Sequence, residues 1–283
     1  HVHEWGGRQR RSRIDGHGPM SPAMIVGLCV GLPLLGAGAI LALGRWPNAR
    51  DTAGIVTGGI LFSLVLRLVD PILAGLQPEH LILEVLPGIE LSLKVEPLGL
   101  LFALVASFLW IVTTLYAVGY MRGHHEKNQT RFFVFFAIAI ACAMGVAFSA
   151  NLFTLFAFYE AITLCTFPLV THHGTPEAKK AGRVYLGILL TTSIGFQLLA
   201  IIWTWHLAGT LDFREGGILA GTASTGVLSV LLILFVFGAG KAAVMPFHRW
   251  LPAAMVAPTP VSALLHAVAV VKAGVFAILK VTI

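Results

Sequence analysis

Runs of about twenty residues with almost no charge recur along this chain, each closed by a short polar connection. At ~1.5 Å rise per residue such a run matches the ~30 Å of hydrocarbon in a bilayer. Backbone groups in hydrocarbon find no water, so each run can cross only as a helix. The runs fall at 22–44, 53–76, 98–120, 132–149, 151–171, 184–207, 226–241 and 259 to the end. Only 11% of residues are charged and the mean hydropathy is +0.86, whereas soluble domains carry about 25% charge. The expected fold class is an all-α polytopic membrane protein with about eight transmembrane helices. Residues 1–20 form a polar, Arg-rich tail, 21–120 hold helices 1–3, and 121–283 hold helices 4–8.

Other classes are excluded by what the chain lacks. The net charge of +6 comes from basic residues scattered through short connections, so no nucleic-acid surface is expected. Cys29, Cys142 and Cys165 sit in three different apolar runs, without metal or redox spacing. No Gly-rich phosphate loop, iron–sulfur cysteine set or haem histidine pair occurs, so no cofactor, no metal and no redox chemistry are expected of this chain. The tail has no apolar core of its own and does not read as a signal peptide.

Two segments depart from the helical pattern. EVLPGIELSLKVEP alternates apolar and polar residues around Pro-Gly, which predicts a hairpin near 77–96 clamping the helix mouths. Farther on, Pro246, Pro252, Pro258 and Pro260 crowd into fifteen residues. Each removes a backbone donor and obstructs the preceding turn. Broken backbone at membrane depth is tolerated when buried in protein or lining a wet cavity, and it marks binding and conduction sites.

Charged side chains inside the apolar runs carry the functional reading. Glu160 lies near the middle of LFTLFAFYEAITLCTFPLV, and a charge at that depth costs at least ~2.5–3.5 kcal/mol on insertion scales. Lys241 sits between FVFGAG and AAVMPF, beside the proline-rich break, and His266 and Lys272 share the last run. Desolvation disfavours the charged form of each group, and a neighbour of opposite charge restores it. An acid and an amine that approach and separate would therefore take up and release a proton. His248 stands within the break, and Lys280 is expected at the interface. Arg67 and Asp70, three residues apart, are expected to pair toward the membrane edge.

Orientation follows from the basic residues of the connections. Arg45, Arg50, Arg122, Lys127, Arg131, Lys179, Lys180 and Arg183 gather on one side, against Lys94 and Arg214 on the other. The first side is expected to be cytoplasmic, with the N-terminus outside, although Arg8, Arg10, Arg11 and Arg13 of the tail oppose this.

VEPLGLLFALV, NLFTLFAFYEAITLCTFPLV and FGAGKAAVMPFHRWLPAAMVAPTPVSALLHAVAVVKAGVF resemble the proton-translocating antiporter-like subunits. These are shared by respiratory complex I, membrane-bound hydrogenases and Mrp-type Na⁺/H⁺ antiporters. The resemblance runs from Glu96 to the C-terminus, and the loop HHGTPEAKKAGRVYLG favours the Mrp and hydrogenase-linked branch. It implies that Glu160 is the glutamate of the fifth helix and Lys241 the lysine of the broken seventh. His266 and Lys272 would be the connecting residues of the eighth. It implies also that spans 4–8 form one five-helix half, with a second, inverted repeat supplied by a further segment or another chain. The expected function is proton translocation within a multisubunit cation/proton antiporter-type complex in a prokaryotic cytoplasmic membrane. Its partners would be other membrane subunits, the lipid bilayer, protons and Na⁺. The alternative is the proton-pumping membrane arm of a redox-driven complex, a hydrogenase or an NADH:quinone oxidoreductase.

Overall fold

The computed structural model describes residues 21–214, 216–264 and 268–282. The Arg-rich tail and His266 lie outside the described residues. Within them the chain is a helical membrane bundle with one small hairpin. Its elements begin α1 (Pro22–Ala42), α2 (Pro47–Leu66), α3 (Val69–Leu73), β1 (Glu79–Leu86), β2 (Ile89–Lys94), α4 (Pro97–Gly123), α5 (Gln129–Ala147) and α6 (Leu152–Val170). They continue as α7 (Pro176–Thr192), a π-helical stretch Ser193–Leu198, α8 (Leu199–Ala208), α9 (Thr225–Gly238), α10 (Trp250–Ala254), α11 (Thr259–Ala263) and α12 (Val270–Thr282).

Local chemistry sets the helix starts. Proline occupies the first turn of α1, α2, α4 and α7, where its missing N–H has no partner to lose. The side chains of Ser21, Asn151, Thr175 and Ser224 accept from the N–H groups of Met24, Thr154, Ala178 and Val227.

Six helices among the described residues are long and apolar enough to cross a membrane. The last two of the eight expected spans are not among these six, and residues 265–267 of the final one lie outside the described residues. α9 has 14 residues and ends at Gly238. The ring of Pro246 obstructs a helix through the residue four positions earlier, Ala242. There the chain makes a 3₁₀ turn, Gly240–Ala242, and Ala243 adopts a left-handed conformation with φ 55°. Pro258 and Pro260 act differently from the expected helix breakers. They sit at the start of α11, which prolines tolerate.

α5 is the most buried of the membrane-length helices and lies among α1, α4 and α6. Close approach depends on small residues: Gly145 faces the ring of Phe158, and a side chain at Gly99 would collide with the Ala147 carbonyl. The antiparallel hairpin turns at Pro87–Gly88, with Gly88 at φ 82°. Its second strand docks on the α5–α6 turn. Ser92 N donates to Thr154 Oγ1 at 3.0 Å, Asn151 Nδ2 to Glu90 O at 2.8 Å and Lys94 N to Phe148 O at 2.6 Å.

At the opposite end, α2 begins earlier than its apolar pattern suggests and brings Arg50 and Asp51 inside the bundle. Arg67 and Asp70 are both exposed and do not pair. The ion pairs form instead around Asp51, which accepts from Arg50 Nε at 2.7 Å and from Arg122 Nε at 2.9 Å. Arg50 also donates to Gln129 Oε1 at 3.0 Å and to Thr130 Oγ1 at 3.3 Å, tying α2 and α4 to α5. Removing one partner from a buried charge network costs about 3–5 kcal/mol, because the remaining charge stays dehydrated. Asp51→Ala should therefore lower the melting temperature of the purified protein markedly, whereas Asp70→Ala should leave it nearly unchanged. Thermal unfolding in detergent reads both.

Candidate proton-transfer site

The bend that ends α9 places Lys241 in the interior. The Lys241 side chain has 0% exposure, and its Nζ lies 3.5 Å from Glu160 Oε1. Among the described residues, both carboxylate oxygens of Glu160 and the Lys241 nitrogen lack a hydrogen-bond partner. The two charges are in contact but not locked together.

Four elements hold this arrangement. Tyr159, beside Glu160 on α6, is fully buried; its hydroxyl accepts from Lys241 N at 3.1 Å, and its ring centroid lies 3.3 Å from Lys241 Nζ. That distance makes a close cation–π contact. Trp250 Nε1 donates to the Gly240 carbonyl at 2.9 Å, tying the turn to α10. From α12, Gly274 lies against the Lys241–Ala242 backbone, and from α7, Thr192 lies against Gly240. A Cβ at either glycine would overlap these neighbours. The break is thus a packed joint that presents an amine to an acid.

A line of hydroxyls continues along α6 from this joint. Thr163, one turn beyond Glu160, is buried with its oxygen unpartnered. Thr166 Oγ1 and Tyr185 OH are 2.6 Å apart, and the Tyr185 ring meets Trp250 edge-on at 5.6 Å between centroids.

The remaining candidates lie elsewhere. Lys272 is exposed, in a groove between α4 and α12 lined by Leu98, Leu101, Val275 and Leu279. It does not reach the Glu160–Lys241 contact. His248 is half-buried in the 3₁₀ turn Phe247–Arg249, with Nδ1 unpartnered among the described residues. Lys280, near the end of α12, is buried against protein: it pairs with Glu96 at the start of α4 and lies 4.5 Å from the Phe213 ring centroid. Tyr159 adjoins Glu160 in the sequence, and its hydroxyl accepts from the Lys241 backbone rather than bonding the carboxylate. Trp250 has no signal in the sequence beyond its place among the prolines.

Two family models match this chain. "NADH:quinone oxidoreductase/Mrp antiporter, TM" covers residues 149–283, and "NADH-Ubiquinone oxidoreductase (complex I), chain 5 N-terminus" covers 87–133. The mnhA2 protein of Staphylococcus haemolyticus (strain JCSC1435), named as an antiporter subunit, is 31% identical over 202 residues, 70% of this chain and 25% of its own. The chloroplastic NAD(P)H-quinone oxidoreductase subunit 5 of Zygnema circumcarinatum is 32% identical over 202 residues, 68% of this chain and 28% of its own. Among solved structures, the Mrp complex from Dietzia sp. DQ12-45-1b shares the fold with a TM-score of 0.76 at 22% identity, over 93% of this chain and 49% of that one. The membrane-bound sulfane sulfur reductase, an archaeal respiratory membrane complex, gives 0.75 at 23%, over 91% and 52%. The chain is an integral membrane bundle that belongs to the antiporter-like subunit family. It spans about a quarter of the length of these sequence relatives.

One further titratable group came to light outside the spans. His172, in the turn after α6, is buried with both ring nitrogens unpartnered. Burial, followed by the charge of Arg131, holds its proton affinity below the ordinary imidazole value, while Glu126 opposes the shift. The unfolded chain therefore takes up this proton first as pH falls. The resulting loss of stability starts near the ordinary value of ~6.5 and is complete below the depressed folded value. Melting temperatures at pH 7.5 and 5.5 should show a smaller acid-side drop for His172→Phe than for the parent protein.

Proposed function

We propose that this chain carries protons within an antiporter-like membrane subunit, and that Glu160 and Lys241 are its acid–amine switch. The single observation behind this reading is the contact at 3.5 Å between a fully buried amine and a carboxylate, with no hydrogen bond to either group among the described residues. With Glu160 close, Lys241 is held protonated by the carboxylate. Separation leaves a dehydrated ammonium that favours release of its proton. The family likeness supports the same assignment, because the matched region 149–283 contains both residues.

The wider setting is a multisubunit cation/proton antiporter-type complex that exchanges protons for a cation, with Na⁺ one candidate. Its membrane is a prokaryotic cytoplasmic membrane, with the Arg50–Arg122 end inside and the start of α1 outside. His248 is a subsidiary proton acceptor at the break. His266 and Lys272 lead onward, with Lys272 at the boundary with the segment or chain that supplies the second repeat. A second reading, the membrane arm of a redox-driven pump, is favoured by the comparable likeness to the quinone oxidoreductase subunit. Co-purifying iron–sulfur, flavin or nickel subunits would select it over the antiporter.

Proton flux into vesicles holding the assembled complex tests the switch. Glu160→Gln and Lys241→Ala are each expected to lower flux at least tenfold with assembly intact. Wild-type flux in both would overturn the assignment.

A further inference from the structure

The Lys241 amine touches two neighbours on one helix. Tyr159 and Glu160 are consecutive on α6, and consecutive helical residues point about 100° apart. Their side chains form the walls of a notch. Lys241 Nζ lies in it, 3.3 Å from the Tyr159 ring centroid and 3.5 Å from Glu160 Oε1. The same ring bears the hydroxyl that accepts from Lys241 N at 3.1 Å. The lysine therefore lies along the tyrosine side chain, its amide at the hydroxyl and its charge over the ring face.

The two neighbours differ in how firmly they are held. Tyr159 is fully buried and its hydroxyl is bonded. The Glu160 side chain keeps 16% exposure, and neither of its oxygens has a hydrogen-bond partner among the described residues. The root of the lysine is fixed too. Trp250 Nε1 donates to the Gly240 carbonyl at 2.9 Å, and Gly274 abuts the Lys241–Ala242 backbone.

Packing alone does not account for the tyrosine. A branched aliphatic side chain would fill an apolar interior as well, and the lysine amide accounts for the hydroxyl. What remains is the aim of the ring. Its negative face meets an ammonium, an attraction that grows as water is removed. A buried ammonium parted from its counter-ion carries a desolvation penalty, and the ring face offsets part of it.

We infer that Tyr159 is a positioning residue for proton transfer: its ring holds the Lys241 ammonium in place while Glu160 parts from it. The carboxylate, with fewer restraints, is the moving member of the pair, and the ring and the turn stay still. This inference rests on the reading of Glu160 and Lys241 as an acid–amine switch, and it gives the separated state a second, uncharged partner. A ring face attracts less strongly than a carboxylate, so the ammonium is held without being trapped.

Ring fluorination tests this, because fluorine drains negative charge from the face with little change in shape. Position 159 is filled first by Phe, which keeps the ring without the hydroxyl. Phenylalanines bearing one, two and three ring fluorines follow. Each complex is assembled, reconstituted in vesicles and assayed for proton flux. Flux should fall by a similar factor with each fluorine, to about one-fifth of the Tyr159→Phe value at three. Tyr159→Leu, apolar but without a face, should fall at least tenfold below Tyr159→Phe, whereas Tyr159→Trp should stay near it. Subunit co-purification and melting temperature check that assembly is common to the series. Should Tyr159→Phe fail to assemble, fluorinated tryptophans measured against Tyr159→Trp give the same reading.

Flux that holds steady or rises with fluorination, with assembly intact, overturns the role of the ring, even where Glu160→Gln abolishes flux. Equal flux in Tyr159→Leu and Tyr159→Phe overturns it as well, since packing then suffices. If Glu160→Gln and Lys241→Ala leave flux at wild-type level, the switch itself fails, whatever the fluorinated series shows.

Discussion

The structure depends on a buried amine that a helix cannot present unaided. α9 enters as an apolar helix, and an uninterrupted continuation would need backbone bonds through the turn that Pro246 obstructs. The chain bends instead, and the polar groups freed by the bend find side-chain partners: the Gly240 carbonyl accepts from Trp250, and the Lys241 amide donates to Tyr159. With its backbone satisfied, the turn can hold the ammonium in the interior at the cost of desolvation alone. Tyr159 joins the two functions, since its hydroxyl anchors the lysine backbone while its ring faces the lysine charge.

Comparison with the other buried charges supports the role proposed for this pair. Asp51 is bonded to two arginines, and Arg50 has two further acceptors. Lys280 is hydrogen-bonded to Glu96. Both sets lie at helix ends, where they tie elements together with their bonds made. Glu160 and Lys241 sit at membrane depth with none of their charged atoms hydrogen-bonded among the described residues. A stabilising ion pair in that position needs excellent geometry and full hydrogen bonding to offset desolvation. Their mismatch destabilises a static fold and suits a group that changes its charge.

Much of this was legible in the sequence because the bilayer narrows the choices. A run such as 98–120 can only be a helix, the period-two pattern around Pro87–Gly88 gives the hairpin, and Glu160 and Lys241 stand out by their expense. What escaped is set by contacts between distant elements. Arg50 and Asp51 look like a polar connection until Arg122 and Gln129, more than seventy residues later, are placed beside them. Lys280 looks unpartnered until Glu96, 184 residues earlier, receives it. Arg67 and Asp70 show the converse error: spacing along a helix permits a pair, but both side chains face outward. The prolines were visible as a group, yet only geometry separates Pro246, which ends a helix path, from Pro258 and Pro260, which begin one.

The joint also explains why the charged residues of the last span do not cluster. α12 meets the Lys241 turn through Gly274, the residue that allows backbone to touch backbone. Lys272, two positions before, points away toward the α4 groove, while Lys280, six positions after, returns to the interior at Glu96. One helix therefore carries an exposed amine, a bare contact and a buried amine in succession. If Gly274 bore a side chain, α12 would be pushed from the turn, and Lys241 and Lys280 would lose their common support. The small residue thus joins the turn that carries Lys241 to the helix that carries the ion pair at the hairpin.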